Sequence, residues 1–199
     1  MRTDAVLPLQ CTALTAGFER PLLGPLNLEL QPGERTLLTG PNGSGKSLLL
    51  QVLTGRARVF SGVVSLASPA PSYLAQEHPR PNPWPLNGHD WFAAMQIPTP
   101  TAPAVQRLLP QRLDRLSGGQ WQLLRLAAVL SSGAQQHWRP LILLDEPSNH
   151  LDAEVRATAV QLIREVPASC TMLLTSHDQD FIRELGFPVV ALEHLLERQ

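Results

Sequence analysis

The sequence is poor in cysteine: Cys11 and Cys170 are the only two among 199 residues, and neither has metal-ligand spacing around it. A cysteine-based metal site is therefore excluded. Cys170 precedes an apolar run and reads as a small core residue. An excess of positive charge is also missing, because 16 Lys and Arg stand against 17 Asp and Glu for a net charge of −1. A broad basic surface is thereby ruled out, and no nucleic acid is expected as partner. No apolar run approaches the roughly 20 residues that a membrane-crossing helix needs. The opening Met1-Arg2-Thr3-Asp4 lacks the basic-then-apolar layout of a signal peptide. The chain is expected to be cytoplasmic, and to serve a membrane only through a partner. Neither an internal repeat nor a heptad run is visible. What is present is 43% hydrophobic residues, enough for one globular domain with a small insertion.

Val6–Leu9 and Leu26–Leu30 read as short strands broken by turns, and Pro32-Gly33 marks a turn before a buried strand at Thr36–Thr39. A helix over 46–54 is expected to stop at Gly55. Val63–Leu66 is a further strand. Prolines at 69, 71, 79, 81, 83, 85, 98, 100, 103 and 110 then exclude long elements, with Asp90–Gln96 as the one candidate helix. We read 77–116 as an inserted, loop-rich subdomain between a first part, 1–76, and a last part, 117–199, of a single domain. Regular patterns return after it. Gln120–Leu130 and Ala153–Val166 read as helices; Leu141–Leu144, Thr171–Leu174 and Val189–Leu192 read as strands. Strands alternating with helices imply a parallel sheet covered on both faces, with ligands at the carboxyl ends of its strands.

Gly40-Pro41-Asn42-Gly43-Ser44-Gly45-Lys46-Ser47 matches the phosphate-cradling pattern G-x-x-x-x-G-K-[ST] between an expected strand and an expected helix. Glycines let consecutive N–H groups converge on an anion, and the helix adds its positive end. Lys46 can reach terminal phosphates, and the Ser47 hydroxyl can ligate Mg²⁺. The run Leu141–Leu144 delivers Asp145 and Glu146 at a strand end. An acid there can hold Mg²⁺, and the next can polarise an attacking water.

Leu116-Ser117-Gly118-Gly119-Gln120 decides the reading. With it the sequence resembles the ATP-binding cassette (ABC) family, over roughly residues 5–195. Gln76 in Tyr73-Leu74-Ala75-Gln76 resembles the family's Q-loop glutamine, Ser148–Asp152 its D-loop, and His177 its switch histidine. The resemblance implies an α/β fold with a P-loop NTPase (RecA-like) core, a mainly parallel sheet, a small antiparallel β region and a short helical subdomain. It implies the ATP-hydrolysing subunit of an ABC transporter, acting with Mg²⁺ on separate integral membrane subunits from the inner face of the cell membrane. Two cassettes, identical or different, would pair head to tail. One would supply residues 40–47 and the other Ser117, Gly118 and Gly119, with Gln120 in the same segment. Asp145, Ser47 and Gln76 would hold Mg²⁺; Glu146 would be the general base, and His177 would contact the γ-phosphate. Phe18 is the candidate for stacking on adenine, the alternative being a core phenylalanine.

The match departs from the family in places. Trp121 and Leu123 stand where the signature helix usually has arginines, and only Arg125 remains nearby. Either that helix packs differently within the domain or a partner covers Trp121. Trp84, Trp91, Phe92, Met95 and Ile97 are candidates for a docking surface, or else for the subdomain's own core. Rival readings are a soluble, translation-associated (ABC-F-like) ATPase, whose branch joins two cassettes through a charged linker not seen here, and a nucleotide-binding regulator with little turnover.

Overall fold

The computed structural model describes residues 7–68, 70–76, 85–135 and 140–196. At its centre lies a five-stranded, all-parallel sheet in the order β5-β6-β7-β3-β8. Its strands are β3 (Arg35–Thr39), β5 (Ser72–Leu74), β6 (Leu141–Asp145), β7 (Thr171–Thr175) and β8 (Val189–Ala191). The apolar runs of β3, β6 and β7 are continuous because both faces are covered. Side chains still alternate along each strand. Leu37, Ile142, Leu144, Met172 and Leu174 enter one apolar cluster, and Leu38, Leu141, Leu143 and Leu173 enter the other.

The second cluster is closed by α1 (Lys46–Leu53) and by an antiparallel sheet. That sheet is β1 (Leu9–Gly17) between β2 (Pro21–Leu30) and β4 (Arg58–Leu66). These strands run longer than their sequences suggest. β1 carries register shifts between Cys11 and Gly17, which break the period of two, and β4 is exposed along most of its length. Val6 lies outside the described residues.

The first cluster is closed by α4 (Gly118–Ala134), α5 (Ala153–Glu165) and α6 (Gln179–Leu185). Gly133 permits the close approach of α4 to the sheet, since a Cβ there would stand 2.5 Å from Ile142 Cγ1. The proline-rich stretch holds more order than expected. It contains β5, the short helices α2 (Gly88–Ala94) and α3 (Pro103–Gln106), and a 3-10 turn at Leu113–Arg115. A capping box between Asn87 and Asp90 starts α2. Phe92, Val105, Leu109 and Leu113 are buried in the same cluster as α4. Phe92 among the candidate docking residues is therefore core, whereas the partly buried Trp91 and Ile97 pack against the cluster and line a cleft with the half-exposed Met95. Trp84 lies outside the described residues. Trp121 is buried 5.1 Å from Trp91, ring centre to ring centre, so the domain itself covers it. α6, which the sequence reading did not assign, and α7 (Leu192–Leu195), which follows β8, complete the chain order.

Candidate active site

Parallel register brings the site together. Asp145 pairs with Thr175 across β6 and β7, and Leu38 pairs with Thr175 across β3 and β7. The chain therefore leaves β3, β6 and β7 at one edge of the sheet, as open parallel sheets require of a ligand site. There the loop after β3 turns into α1, and a cleft of about 570 Å³ opens beside it. Asn42, Gly43, Gly45, Lys46 and Ser47 line the cleft from the loop, Gln76 from the segment after β5, and Glu146 and His177 from the ends of β6 and β7. Phe18 lines it too, half-exposed at the turn between β1 and β2.

The loop is shaped for an anion. Gly45, at φ 106°, forms the N-terminal boundary of α1 without any side-chain cap, which leaves the first helical N–H groups for another acceptor. A Cβ on Gly43 would meet only open space. Lys46 is 6% exposed, and its Nζ donates to Gly40 O at 2.8 Å and Pro41 O at 3.0 Å. The buried Ser44 Oγ has no hydrogen-bond partner among the described residues.

Asp145 sits behind the cleft, 1% exposed. Ser47 Oγ donates to its Oδ1 at 2.9 Å, Thr175 Oγ1 to the same oxygen at 2.8 Å, and Tyr73 Oη to Oδ2 at 3.4 Å. Burial pushes the Asp145 carboxyl above its ordinary value, and the Thr175 and Ser47 hydroxyls pull it partly back. The Tyr73 phenol is pushed up by its own burial and by the Asp145 charge. Glu146 adopts φ 49°, a left-handed conformation costly for this residue type, with its N–H held by Thr175 Oγ1 at 3.0 Å. That turn aims its carboxylate at His177. Nδ1 of His177 lies 2.9 Å from Glu146 Oε2, and the His177 N–H also donates to that oxygen at 3.3 Å. The histidine is 57% exposed at its side chain, with the glutamate buried beneath it. Thr175 thus places both acids, a role the sequence reading missed. Ser148 and Ser176, 3.2 Å apart through their hydroxyls, join the loops that follow β6 and β7.

The segment Ser117–Gln120 does not line this cleft. It starts α4, where Ser117 Oγ accepts from Gln120 N–H at 3.1 Å and Gln120 Oε1 accepts from Ser117 N–H at 2.9 Å. Gln120, in the segment that the resemblance assigns to the nucleotide, is one half of a capping box. Gly118 faces open space, and a Cβ on Gly119 would press to 3.1 Å from His150 O.

Residues 23–149 match the model of the family described as ABC transporter. The chain is 30% identical over 196 residues to the uncharacterized ABC transporter ATP-binding protein YfmM of Bacillus subtilis, covering 93% of this chain. It spans only about a third of that relative's length (36%), and the same share of the Escherichia coli O157:H7 protein YbiT. It is 31% identical over 202 residues to the zinc import ATP-binding protein ZnuC of Psychrobacter cryohalolentis, covering 96% of this chain and 81% of that one. Among solved structures, a dimeric bacterial ABC transporter cassette, MJ0796, superposes with a TM-score of 0.71 at 18% identity, over 92% of this chain and 94% of that one. A nucleotide-free ATP-binding cassette from an ABC transporter gives 0.72 at 20% identity, over 93% and 87%. These two likenesses show the fold.

Proposed function

The chain belongs to the ABC transporter family, and from that premise we propose that it binds and hydrolyses ATP with Mg²⁺ to drive transport through separate membrane subunits. One observation carries the reading: the uncapped phosphate loop, the acids Asp145 and Glu146, and His177 converge on one cleft. The residues fit the ligands. The orphaned Ser44 Oγ and the free N–H groups of α1 suit phosphate oxygens. Ser47 Oγ and Asp145, with the Gln76 side chain across the cleft, are the oxygen donors that Mg²⁺ prefers. Bound there, the ion would neutralise charge on the terminal phosphates.

Lys46 would balance the phosphate charge from the mouth of the loop, exchanging its carbonyl partners for phosphate oxygens. Glu146 would take the proton of the attacking water on its carboxylate. His177 would hold that carboxylate through Nδ1 and present Nε2 to the γ-phosphate. Phe18 would offer its ring to the adenine. Ser117, Gly118 and Gly119 lie outside the cleft, which supports completion of the site by a second cassette, identical or different. Relatives are named as import ATP-binding proteins for zinc and vitamin B12. No helix among the described residues is long and apolar enough to cross a membrane. We assign the transport path to separate membrane subunits, with this domain peripheral at the inner face of the membrane.

Glu146→Gln tests the chemistry. It should retain ATP binding, lower turnover at least about 100-fold, and elute as a dimer when ATP is present. Undiminished hydrolysis would remove Glu146 as the base. Purification of the same variant from native membranes and cytosol tests the coupling: a polytopic membrane protein should come with it. Recovery only with ribosomes or soluble proteins would favour the translation-associated alternative.

A further inference from the structure

Arg125 is a charge that the mechanism above does not use. It is 6% exposed on α4 and has no carboxylate partner among the described residues. Its Nη2 donates to Ala75 O at 2.6 Å, and its Nη1 donates to Gln122 Oε1 at 2.9 Å. Gln122, also buried, donates from Nε2 to Pro147 O at 3.4 Å. One chain of polar contacts therefore crosses the first turns of α4. It joins the residue before Gln76 to the residue after Glu146.

The Gln76 end lacks a hold from the sheet, and the Glu146 end is a strained turn tied otherwise, among the described residues, toward β7, through Thr175, His177 and the Ser148–Ser176 contact. β5 is an edge strand of three residues paired only with β6, so the sheet does not fix the chain beyond Leu74. Glu146 has left-handed backbone and is followed by a turn closed by Asn149 N–H on Glu146 O at 3.1 Å. A buried guanidinium without a counter-charge is a poor device for stability, because an apolar side chain of similar volume serves as well or better. A planar, multiply donating group can hold the Ala75 carbonyl in one loop and at the same time orient the Gln122 amide that reaches the Pro147 carbonyl in another.

We propose that Arg125 and Gln122 are positioning residues that tie the placement of Gln76 to that of Glu146 through the start of α4. The proposal rests on the ATPase reading for its consequence in turnover, but not for the physical link. Any movement of the Ser117–Gln120 segment that rotates α4 would then shift both the Gln76 segment and the Glu146 turn together.

Arg125→Met tests it by two readouts. Hydrogen exchange on the nucleotide-free protein should become about tenfold faster in peptides covering 72–76 and 146–151. ATP turnover should fall about tenfold with KM within about twofold of the parent, while the melting temperature is unchanged or higher. Arg125→Lys, which can serve one acceptor, should restore part of the rate. Gln122→Met should reproduce the loss, and the double variant should be no slower than the slower single one. Unchanged exchange at 146–151, a parental kcat in Arg125→Met, or additive losses in the double variant would overturn the proposal. If Arg125→Met folds poorly, Gln122→Met alone decides between these outcomes. A parent protein with no ATP turnover would refute the ATPase reading, and exchange would still decide the link.

Discussion

Two glycine-rich stretches open helices in this chain, and they are built to opposite ends. Before α1, Gly45 closes the loop with no side-chain cap, and the loop faces Glu146 and His177 across a cleft. Before α4, Ser117 and Gln120 cap each other, and Gly118 looks onto open space. Both helix starts carry the same positive end. The first leaves its N–H groups uncapped and has the Glu146 and His177 side chains of its own chain opposite. The second satisfies two N–H groups internally and keeps a bare backbone surface at Gly118. The contrast teaches that composition alone does not make a phosphate site; what stands opposite the helix start decides.

Lys46→Ala is the strongest way to break the comparison. Removing the buried charge that would face the phosphates should weaken ATP binding about 100-fold or more in a nucleotide titration. Parental affinity would mean that the two stretches do not differ as argued. Gly118→Ala sharpens it from the other side. The new methyl meets nothing in the chain and improves helix propensity, so stability should hold or rise by up to about 1 kcal/mol. Nucleotide affinity should stay level, yet turnover should fall about tenfold if a second cassette must approach that backbone. Ser117→Ala should cost about 1 kcal/mol of stability by loss of the cap, or roughly 2–4 °C in melting temperature; an equal melting temperature would make the capping box energetically idle.

The smallest effect concerns Asp145. Its folded pKa is raised by burial, so the native state holds this proton more tightly than the unfolded chain does. The associated stability is fully present below the ordinary value of 3.8 and is lost as pH rises through the folded pKa. At neutral pH the buried charge costs stability. Asp145→Asn should therefore raise the melting temperature of the nucleotide-free protein at pH 7, and the gain should fade as pH falls toward 3.8. A gain independent of pH would point to packing instead of ionisation.

Much of the candidate site was legible because its parts are local. The loop 40–47, the strand run ending in Asp145 and Glu146, and His177 after β7 each lie within a short stretch whose pattern follows from φ preferences and burial. The fold was less evenly readable. β1 hid behind its register shifts, β5 behind neighbouring prolines, and the part of β4 before Val63 behind exposure on both faces. Local periodicity reports burial on a single face, and none of these strands presents that pattern cleanly.

The sequence by itself determined which residues are candidates for the chemistry and that they would follow strand ends of a parallel sheet, because motif spacing and apolar runs are properties of neighbouring residues. Only the tertiary structure decided how they meet. Ser47, Asp145 and Thr175 converge through strand register, Trp121 finds its cover in Trp91, and Arg125 and Gln122 together reach carbonyls of two distant loops. Those contacts join segments far apart in the chain, where packing and hydrogen-bond satisfaction of the whole domain set the distances.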